Sequence, residues 1–311
     1  MLFSAALVSG VLATAAKALQ SSSSSSSSSS NDSDDWTNNS TKPIELVPAP
    51  WALHGTVYSL ATLLPPATLP AKAYGPLERA SPAYVGAAEY VGLLGMIQII
   101  RYTDSPVGPY DELLLVPGYF KYPHVDAEGR QTERLNPSIT RIYVSQKYTA
   151  KNGRLNWNIP KHLAKFDWTE SADGSTTVKV YPFDTAGGGP DAAREPGPAA
   201  LPFFQTTFTP ALGGSALQHR PPPLPGHADS AHGELAGTDR WRAVVPGQAS
   251  ARSSLGLFDM GQGRGDQVGD TGRNAVGDEF FPNFWPNTPR LTLGLRMDNA
   301  KISFGEPEIW G

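Results

Sequence analysis

The chain is expected to be mainly β, at most α+β, with antiparallel pairing. Three observations carry this. Segments rich in Val, Ile, Thr, Tyr and Phe alternate apolar with polar or small positions; Gly and Pro clusters interrupt them at short intervals; and no long stretch has the period of an amphipathic helix. With 311 residues there is material for a sizeable core, but low-complexity stretches remove much of that length, so one folded domain is expected.

Residues 1–20 open with an apolar run from Leu2 to Ala16, followed by the small-residue pattern Ala16-Lys17-Ala18, as in the hydrophobic core of a signal peptide. The basic segment that normally precedes such a core is missing, which leaves localisation open between cytoplasm and secretion and weighs on the cytoplasmic side. Residues 21–42 hold ten consecutive serines and an Asn- and Asp-rich patch, a composition that buries no core and is expected to be a disordered leader. The folded domain is placed at 43–311. Trp51 to Leu64 predicts its first strand, stopped by Pro65-Pro66, and Gly95 to Tyr102 a second. After the rigid turn Asp104 to Pro109, Glu112 to Val116 predicts a buried strand that ends at Pro117-Gly118.

Ile139 to Ser145 is β-branched and alternating, and Asn152-Gly153 is a strong hairpin signal because both residues tolerate the positive φ of a type I′ turn. The expectation is therefore a reversal at Asn152-Gly153, a return strand from Arg154 to Ile159, and Lys161 just beyond its end at Pro160. Val178 to Tyr181 and Phe203 to Phe208 predict further strands. Gly/Pro-rich stretches near 184–200 and 213–237 are expected to be insertions. Gly261 to Gly265 lacks the Lys-Ser/Thr of a phosphate loop and predicts a plain loop. Leu291, Leu293, Leu295 and Met297 alternate with polar or small residues as a half-buried strand, which a turn at Asp298-Asn299 joins to Lys301–Phe304.

Composition narrows the chemistry. Net charge is −4 with scattered basic residues, so no nucleic-acid footprint is present. The absence of cysteine removes disulfides, thiolate metal sites and cysteine nucleophiles. None of the six histidines forms an i, i+4 pair, and no Gly-x-Ser-x-Gly elbow occurs, so neither a metal nor a serine nucleophile is expected.

Two motifs remain. Gly153-Arg154 is followed by Pro160-Lys161, and about fifty residues upstream of Lys161 stands Gly108-Pro109-Tyr110-Asp111-Glu112. Together they resemble the acetoacetate decarboxylase family, in which a Gly-Arg pair precedes a Pro-Lys at this spacing and a glutamate follows a glycine and a tyrosine. The resemblance extends from Pro43 to Trp310, interrupted by the insertions, and is greatest to the family's long fungal versions. It implies a cone-shaped antiparallel β barrel, Lys161 as the Schiff-base lysine, and Glu112 as the residue that positions the amine or shuttles a proton. It also implies a small-molecule keto acid as partner and a homo-oligomer; no cofactor is expected, nor stable membrane insertion, since the apolar run from Leu2 to Ala16 is too short for a span.

The sequence departs from that pattern at three places. His162 stands where bacterial members carry a second lysine. No arginine lies in Trp51 to Leu64. The place of a second acidic residue falls near Ile97 or Gln98. His162, mostly uncharged at neutral pH, would repel a lysine only weakly, so tuning of Lys161 is expected to rest on an apolar pocket of Ile159, Leu163 and Trp157, with His162 either a tuning group or an ordinary polar residue. Arg101 or Arg154 is the candidate to bind a substrate carboxylate, with a structural role for Arg154 as the equal alternative.

Three readings follow. The first is a Schiff-base lyase, a carboxy-lyase that decarboxylates a β-keto acid bulkier than acetoacetate through a lysine iminium. The second keeps the iminium but uses it for aldol chemistry or dehydration. The third is a non-catalytic β barrel that binds an apolar small molecule.

Overall fold

The computed structural model describes residues 42–64, 66, 69–70, 73–79, 81, 86–183, 198, 202–219, 224–226, 240–260 and 291–310. All of them belong to one compact unit, residues 33–311. The expected signal peptide and all but the last residue of the Ser/Asn-rich leader lie outside the described residues, as do Gly261–Gly265 and most of the two Gly/Pro-rich stretches.

The strands are β1 (Trp51–Leu64), β2 (Glu89–Asp104), β3 (Tyr110–Val116), β4 (Tyr119–Val125), β5 (Gln131–Pro137), β6 (Arg141–Val144), β7 (Lys161–Glu170), β8 (Thr176–Pro182), β9 (Phe204–His219), β10 (Leu224–Gly226), β11 (Trp241–Val244), β12 (Pro246–Asp259), β13 (Leu291–Phe304) and β14 (Glu308–Trp310). Among the described residues, two helices, α1 (Pro76–Arg79) and α2 (Lys147–Trp157), interrupt them. Eleven strands form one sheet in the order β1-β13-β12-β9-β8-β7-β6-β3-β2-β4-β5, and β1 also pairs along β2, which closes the sheet into a barrel. The mainly β class is as expected. A small sheet, β10-β11-β14, completes the fold.

Strand alternation sorts the core into two clusters on opposite faces of the sheet. Ile100, Tyr102, Leu114, Val116, Ile142 and Val144 face one cluster, together with Trp51, Leu53 and Trp157. Ile97, Ile99, Leu113, Leu115 and Tyr143 face the other, with Phe203, Phe204, Phe208 and Phe258. A sheet buried on both faces needs near-continuous apolar runs, which explains Leu113-Leu114-Leu115-Val116.

Two local expectations are corrected. Asn152-Gly153 makes no hairpin; it lies inside α2, and Arg154 to Trp157 is helix rather than return strand. Gln146 caps the helix, its side chain accepting from the Thr149 N–H, and Asn158 ends it in the left-handed region at φ 53°. The lone turn signal lost to tertiary demand. Asn152 is buried and ties down the chain before β1, with Oδ1 accepting from Val47 N at 2.7 Å and Nδ2 donating to Glu45 O at 2.9 Å. As a result β6 and β7 are joined by a helical crossover and pair in parallel, the one parallel ladder among the described strands.

The second correction concerns Asp298-Asn299. The strand runs straight through as β13, and the local irregularity is a bulge against β1, between Gly55 and Val57, with Asn299 at φ 46°. In the 213–237 stretch, β9 continues to His219 and β10 occupies Leu224–Gly226.

Candidate active site

Lys161 opens β7 rather than standing beyond the end of a strand. It and its neighbour point to opposite faces because side chains alternate along a strand. On the first face, Lys161 is 2% exposed and its Nζ lies 2.8 Å from Oε2 of Glu112, itself 1% exposed. Nζ also donates to Thr149 Oγ1 at 3.0 Å and sits 5.1 Å from the centroid of the Tyr110 ring. Thr149 comes from α2, Tyr110 and Glu112 from β3.

The other oxygen of Glu112 accepts from the Tyr102 hydroxyl at 3.1 Å. Burial first, and the Glu112 charge second, push both the Tyr102 and Tyr110 hydroxyls well above the usual phenol range. Tyr102 therefore keeps its proton and donates to Glu112.

Gly153 has a different role from the one its turn propensity suggests. A Cβ at this position would come within 2.7 Å of Lys161 Cδ and 2.8 Å of Cε, so the glycine leaves the passage through which the lysine side chain runs.

On the opposite face, His162 meets Glu78 of α1. His162 Nε2 is 2.6 Å from Glu78 Oε2, and Arg154 donates to Glu78 Oε1 at 2.7 Å. All three residues are buried. Burial alone would raise the Glu78 carboxyl, but His162 and then Arg154 overturn it and bring it down to about 2. Arg154 Nε also donates to the backbone carbonyl of Lys161 at 2.7 Å, so this cluster anchors the start of β7.

The Lys161–Glu112 pair lines a cavity of about 410 Å³, a volume that includes the solvent at its mouth. It is a narrow slot in this conformation. The slot is lined by Met96, Gln98, Ile100, Leu114, Ile139, Ile142, Ile159, Leu224, Pro246, Gln248 and Phe304 besides the pair itself. Ile159 lines it as expected, whereas Trp157 and Leu163 pack into the surrounding core.

No protein-family profile matches the chain. In structure, an acetoacetate decarboxylase-like enzyme from Sphingomonas wittichii RW1 aligns with a TM-score of 0.50 at 12% identity, over 85% of this chain and 94% of that one. The fold is that of the acetoacetate decarboxylase-like proteins. The acetoacetate decarboxylase of Legionella pneumophila subsp. pneumophila str. Philadelphia 1 aligns over 88% of this chain and 93% of its own, with a TM-score of 0.46 and 11% identity. In sequence, 122 residues are 30% identical to Protein NEOXANTHIN-DEFICIENT 1 of Oryza sativa subsp. japonica, 39% of this chain and 35% of that protein. The chain thus spans about a third of that curated relative's length.

Within the acetoacetate decarboxylase-like fold, the structure brings Lys161 and Glu112 together and separates the other three predicted residues from the cavity. His162 and Arg154 belong to the Glu78 cluster behind β7. Arg101 is half exposed, pairs with Glu170 at 3.3 Å and lies over the Trp168 ring. The strand alternation that sends Ile100 inward sends Arg101 outward, and neither arginine lines the cavity as a carboxylate binder. Sequence reasoning missed Glu78, Thr149, Tyr102 and Gln248. Only Tyr102 carried a signal, two strand positions from Ile100 on the same face; the others depend on pairings between distant segments.

Among the described residues, no group of three or more acidic or histidine side chains is gathered as for a metal ion, and no helix is long and apolar enough to cross a membrane.

Proposed function

We propose that the protein is a Schiff-base-forming lyase in which Lys161 condenses with the carbonyl of a small substrate. The observation that carries this is the buried Nζ of Lys161 at the cavity wall, 2.8 Å from the Glu112 carboxylate. Only a neutral amine attacks a carbonyl, and Glu112 stands where the departing proton can be received and later returned. Condensation expels water and leaves a cationic C=N. In decarboxylation of a β-keto acid, the bond to the carboxylate carbon breaks, its electron pair enters the iminium to give an enamine, and CO2 departs. A proton then returns to carbon, and water releases the ketone and the amine.

A second reaction of the same iminium is favoured by one observation: among the described residues lining the slot, Lys161 is the only cation, and it is already paired. In a β-hydroxyketone the hydroxyl proton passes to Glu112, the C–C bond breaks into the iminium, and an aldehyde leaves. Protonation of the enamine and hydrolysis then follow as before. Both reactions predict one intermediate.

The test is borohydride trapping with a panel of β-keto acids and β-hydroxyketones, read by mass on the Lys161 peptide. Labelling is expected in the wild type, lost in Lys161→Ala and retained in Lys165→Ala, since Lys165 is exposed and paired with Asp167 outside the slot. No label on Lys161 from any member of the panel, in folded protein, would remove the reading and leave a barrel that binds apolar molecules. The homo-oligomer implied by the resemblance belongs to the same proposal, and sedimentation of the full chain reads it directly.

A further inference from the structure

We propose that the slot selects uncharged carbonyl compounds carrying a second, neutral oxygen, and that Gln98 and Gln248 hold that oxygen. This rests on Lys161 as the iminium-forming residue and names the class of substrate that reaches it.

The first argument is charge. Nine of the thirteen lining residues are apolar, and the four polar ones are Lys161, Glu112, Gln98 and Gln248. Lys161 and Glu112 cancel. Turning the lysine into an iminium keeps one positive charge opposite Glu112, so a neutral substrate leaves the slot neutral throughout. A keto acid brings a second carboxylate beside the first, against aliphatic walls, where no described lining residue offers another cation. An unpaired charge in such surroundings is strongly disfavoured.

The second argument is the donor set. Gln98 Nε2 donates to Gln248 Oε1 at 3.3 Å, and Gln248 Nε2 donates back to Gln98 Oε1 at 3.1 Å. Gln98 Nε2 also donates to Ser59 Oγ at 3.3 Å, which uses both of its N–H groups. Among the described residues, the second N–H of Gln248 and one lone pair on each carboxamide oxygen are left over. The two side chains are buried, 3% and 6% exposed, on strands brought together from opposite ends of the chain. Gln98 lies two positions along β2 from Ile100, which pairs with Glu112. That is one strand repeat, roughly 6.6 Å, from the carboxylate's register. A short substrate bound at Lys161 can therefore place a hydroxyl or carbonyl oxygen against the carboxamides. Amides both donate and accept, which suits a hydroxyl and offers no charge to a carboxylate.

Three probes of nearly equal shape separate the possibilities on the full chain at neutral pH. They are 4-hydroxy-2-pentanone, 4-methyl-2-pentanone, which replaces the hydroxyl by methyl, and acetoacetate, which replaces the hydroxyethyl end by carboxylate. With borohydride present, the rate of total label on Lys161 is expected to be at least tenfold higher for the hydroxyketone than for acetoacetate, and several-fold higher than for the methyl analogue. Gln98→Met/Gln248→Met replaces both members of the reciprocal pair with apolar groups of similar size, a change that proteins tolerate better than loss of one partner. It should erase the preference for hydroxyl over methyl, read as the ratio of the two labelling rates within the variant. Acetoacetate labelling as fast as the hydroxyketone would overturn this inference and leave the Schiff-base reading standing. An unchanged hydroxyl preference in the double variant would likewise remove the role of the carboxamides. If none of the three labels Lys161, the Schiff-base reading falls and takes this one with it. Should the double variant fail to fold, the three wild-type rates decide alone.

Discussion

Two buried ionic groups flank the first two residues of β7, and they are built on different principles. Lys161 and Glu112 form a bare pair with one threonine and two tyrosines around it, open on one side to an apolar slot. His162, Glu78 and Arg154 form a closed cluster in which both carboxylate oxygens have a cationic or imidazole partner, and Arg154 also holds the backbone of Lys161. They meet β7 at consecutive residues. The closed cluster anchors the start of β7, and the open pair lines the slot. Anchoring the strand and lining the slot thus fall to opposite faces of one strand, and the proposed nucleophile is on the second.

The largest effect that would break this comparison is on stability. Glu78→Ala leaves Arg154 and His162 buried without their carboxylate and is expected to cost about 3–5 kcal/mol, read by denaturant unfolding. The double change Lys161→Met/Glu112→Gln removes both charges of the open pair and should cost no more than about 1–2 kcal/mol. Equal losses would mean that the open pair is as structural as the closed one.

Gly153→Ala comes next. Its Cβ would meet Lys161 Cδ at 2.7 Å, and the gain of about 1 kcal/mol in helix propensity offsets part of the crowding. Borohydride labelling of Lys161 should fall at least tenfold, while the melting temperature moves by only a few degrees.

The pH dependence of stability separates the closed cluster from its surroundings. Glu78 is held at about 2 against an ordinary 4.5, so its contribution is present above pH 4.5 and is lost as pH falls toward 2. A shift of that size corresponds to roughly 3 kcal/mol, and Glu78→Gln should flatten that limb of the acid unfolding curve. Asp111 has the opposite sign: burial, opposed by Trp168 and Arg101, raises it to about 6 from 3.8. Its contribution is present below pH 3.8 and lost as pH rises through 6, so Asp111→Asn should stabilise the protein above pH 6.

The smallest effects concern residues that the sequence placed in the site. His162→Lys puts its charge beside Glu78, away from the slot, and should move the pH profile of Lys161 labelling by no more than about 0.3 units. A larger acid shift would restore His162 to a tuning role. Arg101→Ala removes an exposed pair with Glu170 and should cost less than about 1 kcal/mol, with labelling unchanged.

Much of the fold was legible. The apolar runs of β1, β2, β3, β8 and β13 were visible because burial on one or both faces leaves a pattern in single residues. Less clear were β4 and β5, whose Lys121-Tyr122-Pro123-His124 and Glu133-Arg134 carry more polar than apolar side chains. The helix α2 was hidden because Asn152 and Gly153, poor helix formers, are chosen for what they touch: the chain before β1 and the lysine. For the candidate site, the residues alone read Lys161 as a surface lysine, and only the family resemblance paired it with Glu112, which the structure sets 2.8 Å away. The roles of His162 and Arg154 could be read from neither, because the contact that decides them is Glu78, more than seventy residues upstream on a four-residue helix with no pattern of its own.

The parallel crossover from β6 through α2 to β7 also has a consequence for the order in which the protein assembles. Tyr102, Tyr110, Glu112, Thr149 and Lys161 all fall between β2 and the start of β7, a stretch of chain that only the β4–β5 hairpin interrupts. Closing the barrel is a different matter, since β1 must find β13, with Trp51 opposite Phe304. Short loops close early and distant strands late, so the lysine and its carboxylate should meet on a half-built sheet, and Gln248 and Phe304 should wall in the slot afterwards. Pulse-labelled hydrogen exchange during refolding should then protect the amides of β3, β6, α2 and β7 before those of β1 and β13. The Lys161–Glu112 pair would be in place while the chain is still open.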